Sequence, residues 1–196
     1  MNPGNVLILP GWQSSGPGHW QSGWERAHGY QRVEQHDWIR PLRGDWIARL
    51  EDVLLSRNVA HDEPAVLVAH SLGCMLVAAW AAHSRNTPLV KGALLVAPPD
   101  VEREDMRQIL PGWSPVSGRT LPFKTMVFAS SNDPFCALER ARQFTAAWDA
   151  EFIATGPRGQ LNAESDLGSW PQAHEKLLQL MLDRSATPLQ DLAPPI

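Results

Sequence analysis

The aliphatic run Val66-Leu67-Val68-Ala69 passes through His70 directly into Ser71-Leu72-Gly73-Cys74, and an apolar helical stretch follows without a break. A strand that turns into a helix over a single serine needs small residues on either side, because the two elements approach closely there. Gly73 meets that need, and Ala69 stands where the usual pattern has its first glycine. Such a turn presents the serine at the C-terminal edge of a sheet. The start of the following helix then offers the Leu72 N–H to negative charge developing nearby. The same segment also reads as an ordinary strand–helix corner with a buried serine, so the rest of the chain has to support it.

Short aliphatic runs recur along the 196 residues at Val6–Leu9, Tyr30–Val33, Ala65–Ala69, Gly92–Ala97, Thr125–Ala129 and Glu151–Ala154. Most do not alternate apolar with polar, the pattern of strands covered on both faces. Between them lie helical stripes: Trp20, Trp24 and Ala27; Trp46, Ile47, Leu50, Val53 and Leu54; Leu138, Ala141, Thr145 and Trp148; Leu177, Leu180 and Met181. Leu72–His83 is apolar almost all round and is expected to pack centrally. Strand–helix alternation of this kind predicts an α/β fold with a mostly parallel sheet. The connection from Pro98 to Phe123 is longer than the others, with a short charged helix expected over Val101–Leu110. It is a candidate partial cover over a site. Residues 1–184 read as one domain, and 185–196 as a proline-rich tail.

Composition narrows the function classes. A formal charge of −4 does not suit phosphate or anionic-membrane binding, and no run is long enough to span a bilayer. With no signal-peptide pattern and two cysteines, a cytoplasmic protein is expected. Nine tryptophans against one tyrosine imply large rigid surfaces around a core or cleft. Neither Cys74 nor Cys136 has metal-ligand companions, so no metal is expected, and Cys74 reads as buried and inert.

If Ser71 is a nucleophile, a second backbone donor should come from the loop after the first strand. Gly11 there permits a sharp turn that aims the Trp12 N–H. An acid should follow a later strand. Asp133 does, although an Asp before Pro is also a good helix start. A base should come from the loop after the last strand, yet residues 155–164 contain no histidine. Elsewhere, His70 reads as a structural neighbour of the serine, and His19 as a helix-start residue that can line the cleft. His174 reads as a surface residue, while His28, His36, His61 and His83 fall at helix ends and loops.

The segments Leu7–Trp12, Ser14–Gln21, Ala69–Gly73, Ser131–Pro134, Asn162–Ser165 and Leu167–Pro171 together resemble small serine hydrolases of the YdeN and retinoblastoma-binding-protein-nine type. These are a compact branch of the α/β-hydrolases. The resemblance covers nearly the whole chain. It implies about six parallel strands with helices on both faces, and a Ser-Asp-His triad acting on small esters or amides without a cofactor. It puts Ser71 at the nucleophile, Asp133 at the acid and Asn162 near the pocket. Gln160 falls where the family has its histidine. A glutamine can hydrogen-bond to both Ser71 and Asp133 but is too weak a base to take a proton near neutral pH. The expectation is an esterase-like serine hydrolase of impaired activity. The alternative is a pseudoenzyme that uses the retained pocket to bind a small molecule or protein.

Overall fold

The computed structural model describes residues 3–60 and 63–183, so the predicted tail at 185–196 and His61 lie outside the described residues. Six strands form one sheet in the order β2-β1-β3-β4-β5-β6: β1 (Val6–Leu9), β2 (Gln31–Arg32), β3 (Ala65–His70), β4 (Val90–Val96), β5 (Lys124–Ala129) and β6 (Glu151–Ala154). Every neighbouring pair is parallel, as the near-continuous aliphatic runs imply. The helices are α1 (Trp20–His28), α2 (Arg43–Ala60), α3 (Leu72–Ala81), α4 (Glu104–Ile109), α5 (Leu138–Ala147) and α6 (Pro171–Leu182). None among the described residues is long and apolar enough to cross a membrane.

Alternate residues along each strand feed two separate cores. Leu7, Leu9, Leu67, Ala69, Leu95 and Val127 pack with α2, α3 and α5. Val6, Ile8, Val66, Val68, Leu94 and Phe128 face Trp20 and Trp24 of α1 and Leu177 and Leu180 of α6. The period-two alternation therefore sorts side chains between two helix layers rather than between core and water. The central helix α3 is buried on nearly every side.

Three expectations need correction. Ala27 is exposed, and α1 instead buries Gln21 and Ser22 beside Trp20 and Trp24. The reason is polar: Gln21 Nε2 donates to the Leu9 and Val68 carbonyls, and Ser22 Oγ donates to the Ser15 carbonyl. The strand expected over 30–33 pairs only at Gln31 and Arg32. The long connection is a packed layer: Val101, Met106, Leu110, Trp113 and Leu121 are buried in the α2/α3/α5 core. The indole of Trp113 donates to the Pro41 carbonyl and meets Trp46 edge-on. Trp148 Nε1 holds the Ser117 carbonyl.

Successive connections leave β1 toward β2 on one side and run from β3 to β6 on the other. The order therefore reverses between β1 and β3, and open parallel sheets leave a crevice beyond the strand ends at such a point. Gly73 shows how close the elements are there, since a Cβ on it would lie 2.4 Å from the Leu9 carbonyl oxygen. Gly73→Ala is expected to lower stability by about 1–3 kcal/mol through overpacking. Gly23→Ala, inside α1 with nothing within 4 Å of the added methyl, should be neutral or raise it by up to about 1 kcal/mol. Urea denaturation of both variants checks the contrast; equal midpoints would contradict the close contact.

Candidate active site

Ser71 sits between β3 and α3 with φ 51° and ψ −122°, a conformation in which a residue with a Cβ is strained. Its N–H donates to the Val96 carbonyl at 2.9 Å, so the next strand pins the turn in place. A Cβ on Gly11 would lie 2.8 Å from Ser71 Cβ and 3.2 Å from the Leu72 nitrogen, so the loop after β1 runs directly against the serine turn. Among the described residues, no hydrogen bond engages the Trp12 or Leu72 backbone N–H, the two donors expected to face an oxyanion. The Trp12 indole is held by the Ile39 carbonyl at 2.9 Å.

Gln160 comes to Ser71 from the loop after β6, its Nε2 donating to Ser71 Oγ at 3.0 Å. The second bond open to a glutamine there, to Asp133, is not formed; the Gln160 side-chain oxygen accepts from Asn162 Nδ2 at 3.4 Å. Asn162 is thereby placed beside Gln160, and its side chain also accepts from the Glu164 N–H while Ser165 Oγ accepts from the Asn162 N–H. This reciprocal capping closes the turn that carries position 160.

Asp133 follows β5 as expected, but it does not start a helix, because α5 begins at Leu138. Its Oδ1 accepts the Phe135 N–H at 2.9 Å. Burial pushes the carboxyl up to about 6, against the opposing pulls of that bond and of Arg103. Two residues that sequence reasoning passed over join the acid turn to the Gln160 loop. Ser130 Oγ accepts from the Arg158 N–H at 2.8 Å, and Asn132 Oδ1 accepts from the Gly159 N–H at 2.7 Å. Their only signal was their place in the polar turn Ser130–Asp133.

Among the described residues, no histidine hydrogen-bonds Ser71 Oγ. His19 does not line an open cleft; it is 5% exposed, caps α1, and accepts the Gln21 N–H on Nδ1 at 3.1 Å. Burial drives its pKa down to about 2, and that of His70 down to about 4. His70 hydrogen-bonds the Gln160 backbone carbonyl through Nε2 at 2.9 Å. His174 is part-buried rather than a free surface residue: it stacks on His28 and bonds the Tyr30 hydroxyl at 2.8 Å. Burial raises the Cys74 thiol pKa, and its sulfur faces the Ala69 and Val96 carbonyls. Beside Gln160 lies a hollow of about 430 Å³ lined by Phe135, Arg158, Asn162 and Ser165 among others.

A family model described as serine hydrolase matches residues 6–179. A solved YdeN-like hydrolase from Pectobacterium atrosepticum is 27% identical, with a TM-score of 0.74 over 90% of this chain and 89% of that one. The YdeN protein of B. subtilis is 20% identical, with a TM-score of 0.73 over 92% of this chain and all of that one. Est1E from Butyrivibrio proteoclasticus, solved with ferulic acid, is 11% identical, with a TM-score of 0.71 over 91% of this chain and 89% of that one. No curated protein matches the chain in sequence.

The acid turn gives a pH signature. The folded-state pKa of Asp133, about 6, lies above its ordinary 3.8, so the folded chain holds the extra proton between those values. The stability this proton contributes is present below about pH 4 and is lost as the pH rises through 6. Asp133→Asn, which keeps the acceptor for Phe135, should raise stability at pH 8 by about 1 kcal/mol after allowing for partial exposure. The two chains should converge at pH 3.5. Chemical denaturation at both pH values checks this, and a difference independent of pH would contradict it.

Proposed function

The chain belongs to the serine hydrolase family, and on that premise we propose an esterase-type site for small esters or amides in which Gln160 occupies the place of the general base. The observation that carries the reading is the 3.0 Å hydrogen bond from Gln160 Nε2 to Ser71 Oγ. It keeps the spacing a base would need and reverses the chemistry.

In acyl transfer, Ser71 Oγ attacks the substrate carbonyl and its proton must leave as the tetrahedral oxyanion forms. The Trp12 and Leu72 N–H groups, with α3 behind them, are suited to that oxyanion. An imidazole at position 160 would take the serine proton and later return it to the leaving group, with Asp133 stabilising the imidazolium between the two steps. The amide of Gln160 donates to Oγ and accepts no proton at neutral pH. Formation and hydrolysis of the acyl-serine are both slowed, and the activity that remains rests on binding and the oxyanion donors. Loss of the histidine from a comparable triad costs on the order of 10⁶ in turnover.

A second reading has its own observation. Among the described residues, no side chain hydrogen-bonds Asp133 as a working triad would have it, and Gln160 is turned to Asn162 instead. This favours a pseudoenzyme that uses the pocket to bind a small molecule or protein.

Fluorophosphonate labelling and short-chain aryl ester hydrolysis separate the two. Gln160→His is expected to raise kcat/KM by at least about 10³ over the unaltered chain. The gain should vanish in Gln160→His/Ser71→Ala. A folded Gln160→His chain that neither labels nor turns over would overturn the hydrolase reading and leave the binding one.

A further inference from the structure

His70 precedes the candidate nucleophile, is 5% exposed, and reaches across to an element 90 residues later in the chain. Its Nε2 lies 2.9 Å from the Gln160 carbonyl oxygen, which can only accept, so Nε2 carries the proton. The next carbonyl, that of Leu161, accepts from Trp20 Nε1 at 2.8 Å. Two consecutive carbonyls of the loop are therefore held by N–H donors from the serine strand and from α1. Between them the chain passes into the left-handed region at Leu161, φ 53°, whose side chain is fully buried. A β-carbon in that conformation is strained and persists only where surrounding contacts over-determine it. The His70 ring is itself fixed, edge-on to His19 at 4.7 Å between centroids and perpendicular to Trp20 at 6.2 Å. His19 cannot turn to take the bond, because its Nδ1 caps α1.

We infer that His70 is the positioning residue for position 160: its Nε2–H holds the backbone of that loop so that the side chain there meets Ser71 Oγ. One rigid strand end thus carries the nucleophile and, one residue earlier, the donor that places the nucleophile's partner. The inference rests on the hydrolase reading for its kinetic consequence and on the hydrogen bond alone for its structural one. His70 touches neither Oγ nor the reacting carbonyl in this account, so its loss should lower turnover without changing substrate affinity. Misplacing a reacting group by about 1 Å can cost on the order of 10²-fold.

The test uses two substitutions. His70→Phe keeps a ring and removes the donor; His70→Gln keeps an N–H near the Nε2 position. In the Gln160→His chain, His70→Phe should lower kcat by about 10- to 100-fold with KM within about two-fold. His70→Gln should recover most of the loss. In the chain with Gln160 intact, hydrogen exchange read by mass spectrometry should quicken over residues 157–165 in His70→Phe and not in His70→Gln, with β3 and β4 still protected. If Gln160→His is inactive while loop exchange follows this pattern, the positioning role stands and the hydrolase reading fails. Unchanged kcat and unchanged loop exchange in His70→Phe would overturn the inference. So would a loss shared equally by His70→Gln with protection lost across β3 and β4, which would make His70 a core residue only.

Discussion

A methyl group on Gly73 would stand 2.4 Å from the Leu9 carbonyl, and one on Gly11 would stand 2.8 Å from Ser71 Cβ. The end of β1 and the turn between β3 and α3 therefore meet with no room for side chains between them. That contact lies where the strand order reverses, the place where open parallel sheets in general leave a crevice. It sets Ser71 in a conformation that a lone turn would not hold. It also brings the backbone of the first loop beside the N-terminus of α3. Two N–H groups without a hydrogen bond among the described residues, beside a strained serine, follow from this packing before any polar side chain is considered.

On that contact the polar side chains build a second layer. The Gln160 loop is tied to the acid turn through Ser130 and Asn132, to the serine strand through His70, and to α1 through Trp20. In the proposed reading these ties are what would position a base, and the side chain they carry is an amide. A glutamine keeps the contact to the serine because an amide nitrogen can occupy the position of an imidazole nitrogen. In that reading it does not supply the charge an imidazole would carry. Burial pushes the Asp133 carboxyl up to about 6, against the pulls of the Phe135 N–H and of Arg103.

The sheet and its helix layers were legible in the sequence because burial on both faces leaves aliphatic runs, and the central helix is apolar all round. The serine turn was legible because its steric demand shows as small residues at fixed spacing. What escaped reading is polar and long-range. Ala27 continues an apolar stripe, yet α1 rotates inward at Gln21, whose amide closes carbonyls of two strands. A glutamine at position 160 is able to bond Asp133, but Asn162, two residues away, takes its oxygen. The bond from His70 to the Gln160 carbonyl joins residues with no local signal connecting them. Strand pairing determines such contacts, and periodicity says nothing about them.

In the proposed reading, the side chain facing Ser71 Oγ accepts no proton in the neutral range. The rate at which a fluorophosphonate modifies Ser71 in the unaltered chain, followed by intact mass from pH 5 to 9, tests it most directly. Slow modification that rises smoothly with hydroxide, with no inflection between pH 5 and 8, is expected. A sigmoidal rise centred in that interval would reveal a titrating base acting on Ser71 and overturn the proposed role of Gln160.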